Sequence, residues 1–274
     1  MWELSISIKA SDIEVAKFVY QSLKSCAEEV GAVVTCFEQF DNIYIVIACP
    51  TCQKSKFFVE IERCVTKVVC NFYKDRFLTT NLQLPAHENI GMTAFRRALI
   101  NFDKETDIYL ISKNLNLDKD LHLESFYLFK LKPLRKKWEE LVSLANENSD
   151  CLVSSDAFFD LLKFLVDNLE VCDEEISVFQ DENGYSIQSN CKAKNVEQLT
   201  KEDLVSSIIE MCPKKINLFC KSDDNTAGFL SRLFEERVNV CYNKSVEIIK
   251  DFSAITQNWK EFVFCRKKLL TLVV

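Results

Sequence analysis

The sequence predicts a mixed α/β protein, and three patterns along the chain carry this prediction. Apolar and polar residues alternate over 2–9 as in a strand, helical periodicity dominates from about 91 to 171, and short strands alternate with helices from Glu174 onward. Strands that alternate with helices imply parallel pairing within a sheet. We therefore expect an α/β (mixed α+β) fold with an N-terminal β-α-β-β unit, a helical middle and a C-terminal β-β-α-β-α-β unit. The expected boundaries are 1–84, 85–171 and 172–243, followed by a partly helical tail over 244–274.

The N-terminal unit follows from capping signals and apolar spacing. Ser11 or Asp12 can cap a helix over 13–30. Gly31 can end this helix, because glycine tolerates the left-handed backbone of a helix C-terminus. The remaining elements are strands over 33–37 and 43–48, joined by a turn at 39–42, and a long helix over 54–76.

The middle of the chain predicts a series of helices with apolar faces. Pro133 fits the first turn of one of them, where its missing N–H is not needed. Phe158, Leu162 and Leu165 give the last one a wide apolar face, so we expect it in the core. The predicted helices are 91–102, 106–115, 121–131, 134–147 and 156–171, after a connection over 77–90.

Turn and capping residues divide the C-terminal unit into short elements. Asn183–Gly184 is typical of a hairpin turn, Thr200 and Asp224 are candidate helix N-caps, and Pro213 can end the helix that Thr200 begins. The predicted strands are 176–179, 185–188, 215–220 and 237–242, and a further helix is predicted near 258–270.

The composition excludes several classes of protein. The 274 residues include only four glycines, which lie too far apart for a phosphate-binding glycine loop, and the net charge of −7 does not favour general attraction to nucleic acid. No secretory signal and no apolar run of membrane-spanning length is visible. We therefore expect a soluble cytoplasmic protein, whose 13 scattered cysteines are mostly reduced thiols in the core.

The sharpest local motif is Cys49-Pro50-Thr51-Cys52, which lies between a predicted strand and a predicted helix. Such a pair at a helix N-terminus is typical of thioredoxin-like redox sites, but the preceding helix and three strands do not fit that fold. A zinc site would need two further ligands, which Cys36, Cys64 or Cys70 could supply. Incidental packing remains the favoured interpretation, so we predict no metal and no cofactor.

One basic cluster lies beside aromatic residues and suggests a binding surface. It could hold nucleic acid through phosphate contacts and stacking, or it could contact a partner protein. The alternative, which we favour, is a helix with its aromatic residues in the core and a solvated basic face. The cluster consists of Lys130, Lys132, Arg135, Lys136 and Lys137, interleaved with Phe126, Tyr127, Phe129 and Trp138.

No recognisable catalytic motif is present. His87 and His122 are the only histidines, and each lies in a polar stretch without a motif for a nucleophile or a metal. The sequence therefore favours a non-enzymatic protein.

Four segments in the second half resemble a known family. Leu123–Lys132, Asp160–Val166, Cys212–Leu218 and Leu233–Cys241 are similar, in order and spacing, to segments of the YtxC-like family of sporulation proteins of endospore-forming bacteria. The resemblance covers roughly 120–242, and it departs from the family at Ser125, where glycine is expected, and at Pro133. It implies a cytosolic protein of a spore former and no particular chemistry. The favoured function is a non-enzymatic sporulation-associated protein that acts through contacts with an unknown protein partner. The alternatives are a nucleic-acid-associated regulator that uses 126–138 and a thiol-redox or zinc protein that uses Cys49 and Cys52.

Overall fold

The computed structural model describes residues 1–83, 90–118, 120–147, 155–189, 196–221 and 224–242. The chain divides into two compact units, the first over Met1–Leu169 and the second from Glu170 onward. Each unit contains a mixed sheet together with helices, so the predicted mixed α/β class is confirmed.

The first unit is built on a four-stranded sheet. The central strand β1 (Trp2–Lys9) pairs antiparallel with β3 (Asn42–Cys49) and parallel with the short β4 (Leu121–His122), while β2 (Val33–Gln39) pairs antiparallel with β3 at the edge. Alternate residues of β1 are apolar and buried, as the period of two requires.

Helices pack on this sheet and extend the first unit. Gly31 ends α1 with φ of 66°, and its N–H donates to the Ala27 carbonyl, as the sequence predicts. Two stretches of wider π-helical winding, Val68–Tyr73 and Phe126–Lys130, interrupt the α-helices. The helices are α1 (Ile13–Val30), α2 (Lys54–Lys67), α3 (Lys74–Asn81), α4 (Ile90–Asn101), α5 (Lys104–Asn114), α6 (Leu123–Ser125), α7 (Lys132–Glu147) and α8 (Ser155–Asp167).

The second unit contains a five-stranded mixed sheet in the order β7-β6-β5-β8-β9. The Thr200 hydroxyl accepts from the Asp203 N–H, and Asp224 accepts from the Thr226 N–H, so both predicted caps are present. The elements are β5 (Asp173–Gln180), β6 (Tyr185–Ser189), β7 (Val196–Leu199), α9 (Lys201–Met211), β8 (Pro213–Cys220), α10 (Asn225–Phe234) and β9 (Val238–Tyr242).

Two strands were not predicted from the sequence. Leu121–His122 lies in a segment predicted as helix and pairs with β1, and Val196–Leu199 adds an edge strand beside β6. They are two and four residues long, which is too short for local periodicity to give a clear signal. The helix predicted near 258–270 lies outside the described residues.

Candidate functional site

The five basic residues of the predicted binding cluster differ in exposure and in their contacts. Lys130 and Lys132 are exposed, and neither forms an ion pair with another described residue. Lys136 lies 3.7 Å from the Glu140 carboxylate in an exposed i,i+4 pair. Arg135 donates to the Leu128 carbonyl and lies over the Tyr127 ring.

The rest of the cluster points into the protein. Lys137 Nζ lies 2.5 Å from the Asp103 carboxylate and 3.1 Å from Asp107. Phe126 and Trp138 are buried in the core, whereas Phe129 is 65% exposed. A base-stacking platform would need several exposed rings next to the cations. Phe129 is the one exposed ring among the four aromatic residues of this segment, so the segment does not meet that condition.

Lys137 belongs to a buried polar network between α3, α5 and α7. Lys74 Nζ donates to Asp107 Oδ2 at 2.6 Å and to the Phe102 carbonyl at 3.1 Å, and Trp138 Nε1 donates to the same carboxylate at 3.3 Å. The Lys74 and Asp107 side chains are 1% and 0% exposed. Burial lowers the pKa of Lys74, against the opposing effect of Asp107. Every charge in this network has a partner within it, as buried charges normally require.

The Cys49–Cys52 motif separates into one buried and one exposed thiol. Cys49 is the last residue of β3 and is buried, whereas Cys52 is exposed in the turn before α2. Burial, followed by the neighbouring Cys52, raises the pKa of Cys49. A redox nucleophile needs a lowered pKa, so burial opposes that chemistry at Cys49.

The other cysteines considered as zinc ligands differ in exposure. Cys36 is exposed on β2, whereas Cys64 and Cys70 are buried, and burial raises the pKa of each to about 12. Within the described residues no group of three or more cysteine, histidine or acidic side chains is placed to hold a metal ion. The ten described cysteines are all thiols rather than disulfides.

His122 pairs with a serine that the sequence did not connect with it. A hydrogen bond joins His122 Nδ1 and Ser7 Oγ across β4 and β1. No carboxylate within the described part of the chain bonds the other ring nitrogen, so the pair lacks the third member of a catalytic triad. His87 lies outside the described residues.

The edge strand β2 is unusually open. Six of its seven residues are exposed, and all seven pair with β3 in regular register without a bulge. Val33 is 65% and Phe37 47% exposed, and Phe37 stacks on Tyr44 of β3 with 5.3 Å between ring centroids. Proteins normally protect such an edge with lysine, proline or a bulge. β2 has none of these, so it offers backbone groups and apolar side chains for pairing.

Two neighbouring cavities meet at an ion pair between α1 and α3. Arg76 donates two hydrogen bonds to Asp12, at 2.8 and 3.1 Å, and these bonds raise the pKa of Arg76. A cavity of about 640 Å³ lies on one side, between α1, α3 and Arg97. A cavity of about 310 Å³ lies on the other side, and Tyr73, Asn81, Glu124 and Tyr127 line it with the ion pair. We call this smaller space the Tyr73 cavity.

The capping role predicted for Asp12 is wrong. Asp12 occupies the N-cap position of α1, but neither carboxylate oxygen accepts from the helix backbone. Both oxygens accept from Arg76 instead, because a charged bidentate pair is stronger than a single capping bond. Sequence reasoning did not single out Arg76, since its partner lies 64 residues away.

The two π-helical stretches contribute facing aromatic residues to the Tyr73 cavity. Tyr73 ends the first stretch, Tyr127 lies in the second, and their ring centroids are 4.8 Å apart. Burial raises the pKa of both tyrosines, so both hydroxyls remain protonated. π-helical turns within α-helices are often found at functional sites.

The comparisons assign the chain to a family. A family model described as the YtxC-like family matches residues 87–239, which is more than half of the chain. The chain therefore belongs to the YtxC-like family. No curated protein and no solved structure matches the chain at a significant level. None of the helices in the described ranges is both long and apolar enough to cross a membrane.

Proposed function

We propose that this YtxC-like chain acts in sporulation, in the cytoplasm of an endospore-forming bacterium, by binding another protein without catalysing a reaction. Membership of the family supports the link to sporulation. The single observation that supports protein binding is the open edge of β2, with Val33 and Phe37 exposed beside backbone groups that no described strand pairs. An added strand would satisfy those groups and cover the apolar side chains.

The expected partner is an extended segment with apolar residues at alternate positions. Val33, Thr35 and Phe37 lie on one face of β2, because residues two apart point the same way. A partner strand would place its own apolar residues beside Val33 and Phe37 on that face. Strand addition gains affinity from backbone hydrogen bonds and specificity from these side-chain pairs.

The test is genetic complementation in a spore-forming host from which the gene has been deleted. We expect the deletion to lower the count of heat-resistant spores and the wild-type gene to restore it. The double variant Val33→Lys and Phe37→Lys should fail to restore it, since edge lysines block strand addition. Both residues are exposed, so the protein should still fold.

A matched control separates loss of the edge from added charge. The variant Val59→Lys and Phe164→Lys changes the same residue types at helix positions that are 51% and 59% exposed, and it should restore the spore count. A normal spore count after deletion would refute the link to sporulation. Full rescue by the β2 variant would refute binding through this edge.

A further inference from the structure

We infer that the Tyr73 cavity binds a primary ammonium group, either of a small amine or of a lysine side chain. This inference is independent of the β2 edge and concerns a different part of the first unit. Three observations carry it: a buried Tyr73 hydroxyl that bonds no described residue, two acceptor oxygens in the cavity wall that no described residue pairs, and two carboxylates with one cation in that wall.

The buried hydroxyl belongs to Tyr73. The residue is 5% exposed, and its hydroxyl makes no hydrogen bond to any described residue. Tyr73 lines the cavity together with Asp12, Arg76 and Glu124. Buried polar groups normally have a partner, because an unpaired one is costly. A ligand in the cavity supplies that partner.

Besides the Tyr73 and Tyr127 hydroxyls, the cavity wall contains two acceptor oxygens that no described residue pairs. Thr80 already donates its hydroxyl proton to the Arg76 carbonyl, and Asn81 donates from its amide to the Phe77 carbonyl. The two terminal nitrogens of Arg76 are directed to Asp12. What remains includes the Asn81 Oδ1 and one oxygen of Glu124, whose other oxygen pairs with Lys9 at 2.7 Å. Such a lining favours a ligand that donates hydrogen bonds.

The carboxylates of the wall favour a cationic donor. Asp12 and Glu124 line the cavity together with one cation, Arg76, whereas Lys9 does not line it. A volume of about 310 Å³ fits a group of the size of a lysine side chain.

The primary test is titration calorimetry of the full chain at low salt with matched probes. We expect n-butylammonium to bind saturably with a Kd of about 1 mM or tighter, and butyrate, which has similar size and opposite charge, not to bind. Spermidine and a capped Gly-Lys-Gly peptide distinguish the sources. Tighter binding of spermidine supports a small amine, and tighter binding of the peptide supports a lysine side chain. Absence of saturable binding by all three cations, or equal binding of butyrate, would overturn the inference.

Two variants connect binding to named atoms. Tyr73→Phe should weaken ammonium binding about five- to tenfold, and Glu124→Gln about tenfold or more, because a charged hydrogen bond is stronger than a neutral one. Tyr109→Phe and Glu105→Gln change the same residue types at exposed positions of α5, and they should leave the Kd within about twofold. Unchanged affinity in Tyr73→Phe would contradict the assignment.

A stability measurement tests the premise without any ligand. Tyr73→Phe removes a buried hydroxyl that bonds no described residue, so the unfolding midpoint should stay the same or rise. A clear fall in the midpoint would mean that the hydroxyl already has a structural partner. That result would remove the first observation on which the inference rests.

Discussion

The buried ion pair between Lys74 and Asp107 offers a quantitative test of what holds the first unit together. We consider Lys74→Met, which keeps a side chain of similar length and removes the charge. The loss of Lys74 leaves the Asp107 carboxylate, which is 0% exposed, with Lys137 and Trp138 as its remaining donors. Removal of one partner of a buried ion pair typically costs about 3–5 kcal/mol. Because Lys137 still lies 3.1 Å from Asp107, we expect the lower end, about 3 kcal/mol.

The matched control is an exposed pair of nearly the same length. Lys214 lies 2.7 Å from Glu174, with side chains 58% and 68% exposed, whereas the buried pair spans 2.6 Å. Lys214→Met should therefore cost about 1 kcal/mol or less, because water screens exposed charges. The two variants remove the same group at the same distance, so the difference between them measures the effect of burial.

The assay is urea unfolding followed by circular dichroism and tryptophan fluorescence. A third variant, Lys74→Met with Asp107→Leu, replaces the pair by apolar groups and should recover part of the lost stability, because no buried carboxylate is left unpaired. The reasoning is refuted if Lys74→Met costs no more than Lys214→Met. It is also refuted if the addition of Asp107→Leu lowers the free energy of unfolding of Lys74→Met further, instead of restoring part of it.

Three further predictions follow from the thiols and the basic segment. Burial raises the pKa of Cys64 from 9.0 to about 12, so above pH 9 the unfolded chain loses this proton while the folded chain keeps it. The free energy of unfolding should therefore fall by up to about 1.4 kcal/mol per pH unit. Cys64→Ala should reduce that slope in unfolding measured from pH 9 to 10.5. In the native protein a thiol reagent should modify Cys52 rapidly and Cys49 only after unfolding, and equal rates would contradict the described burial. A fluorescent single-stranded oligonucleotide should not bind at physiological salt, because only two of the five basic residues are exposed without an ion pair among the described residues. Binding at low salt would support the nucleic-acid alternative if the double variant Lys130→Glu and Lys132→Glu abolishes it.

Local signals predicted most of the secondary structure. Gly31, Thr200 and Asp224 act where the sequence placed them, because a left-handed terminus and a capping bond depend only on neighbouring residues. The apolar face of α8 also lies in the core, as its spacing predicts. Periodicity and capping are properties of a short window, so a single sequence is sufficient to read them.

The features that the sequence did not predict depend on distant partners. Asp12 pairs with Arg76 instead of capping α1, and Lys137 pairs with Asp103 and Asp107 instead of adding to the exposed basic surface. Each of these contacts joins residues at least 30 positions apart. Local propensity cannot rank a capping bond against an ion pair whose partner is that far away, because the stronger interaction exists only after folding.

The position where the local rule fails is also informative about the candidate site. Asp12 gives up a capping bond, and two stretches of helix adopt the less common π winding, around the same cavity. Sequences that fold well usually satisfy local and global preferences together, and exceptions concentrate at functional sites. Three such departures converge on the space in front of Tyr73. In the Cys49–Cys52 motif, by contrast, Cys49 is buried and its raised pKa opposes the redox chemistry that the motif suggests. This contrast is the reason to look for a ligand of the first unit at Tyr73 before looking for one at the cysteines.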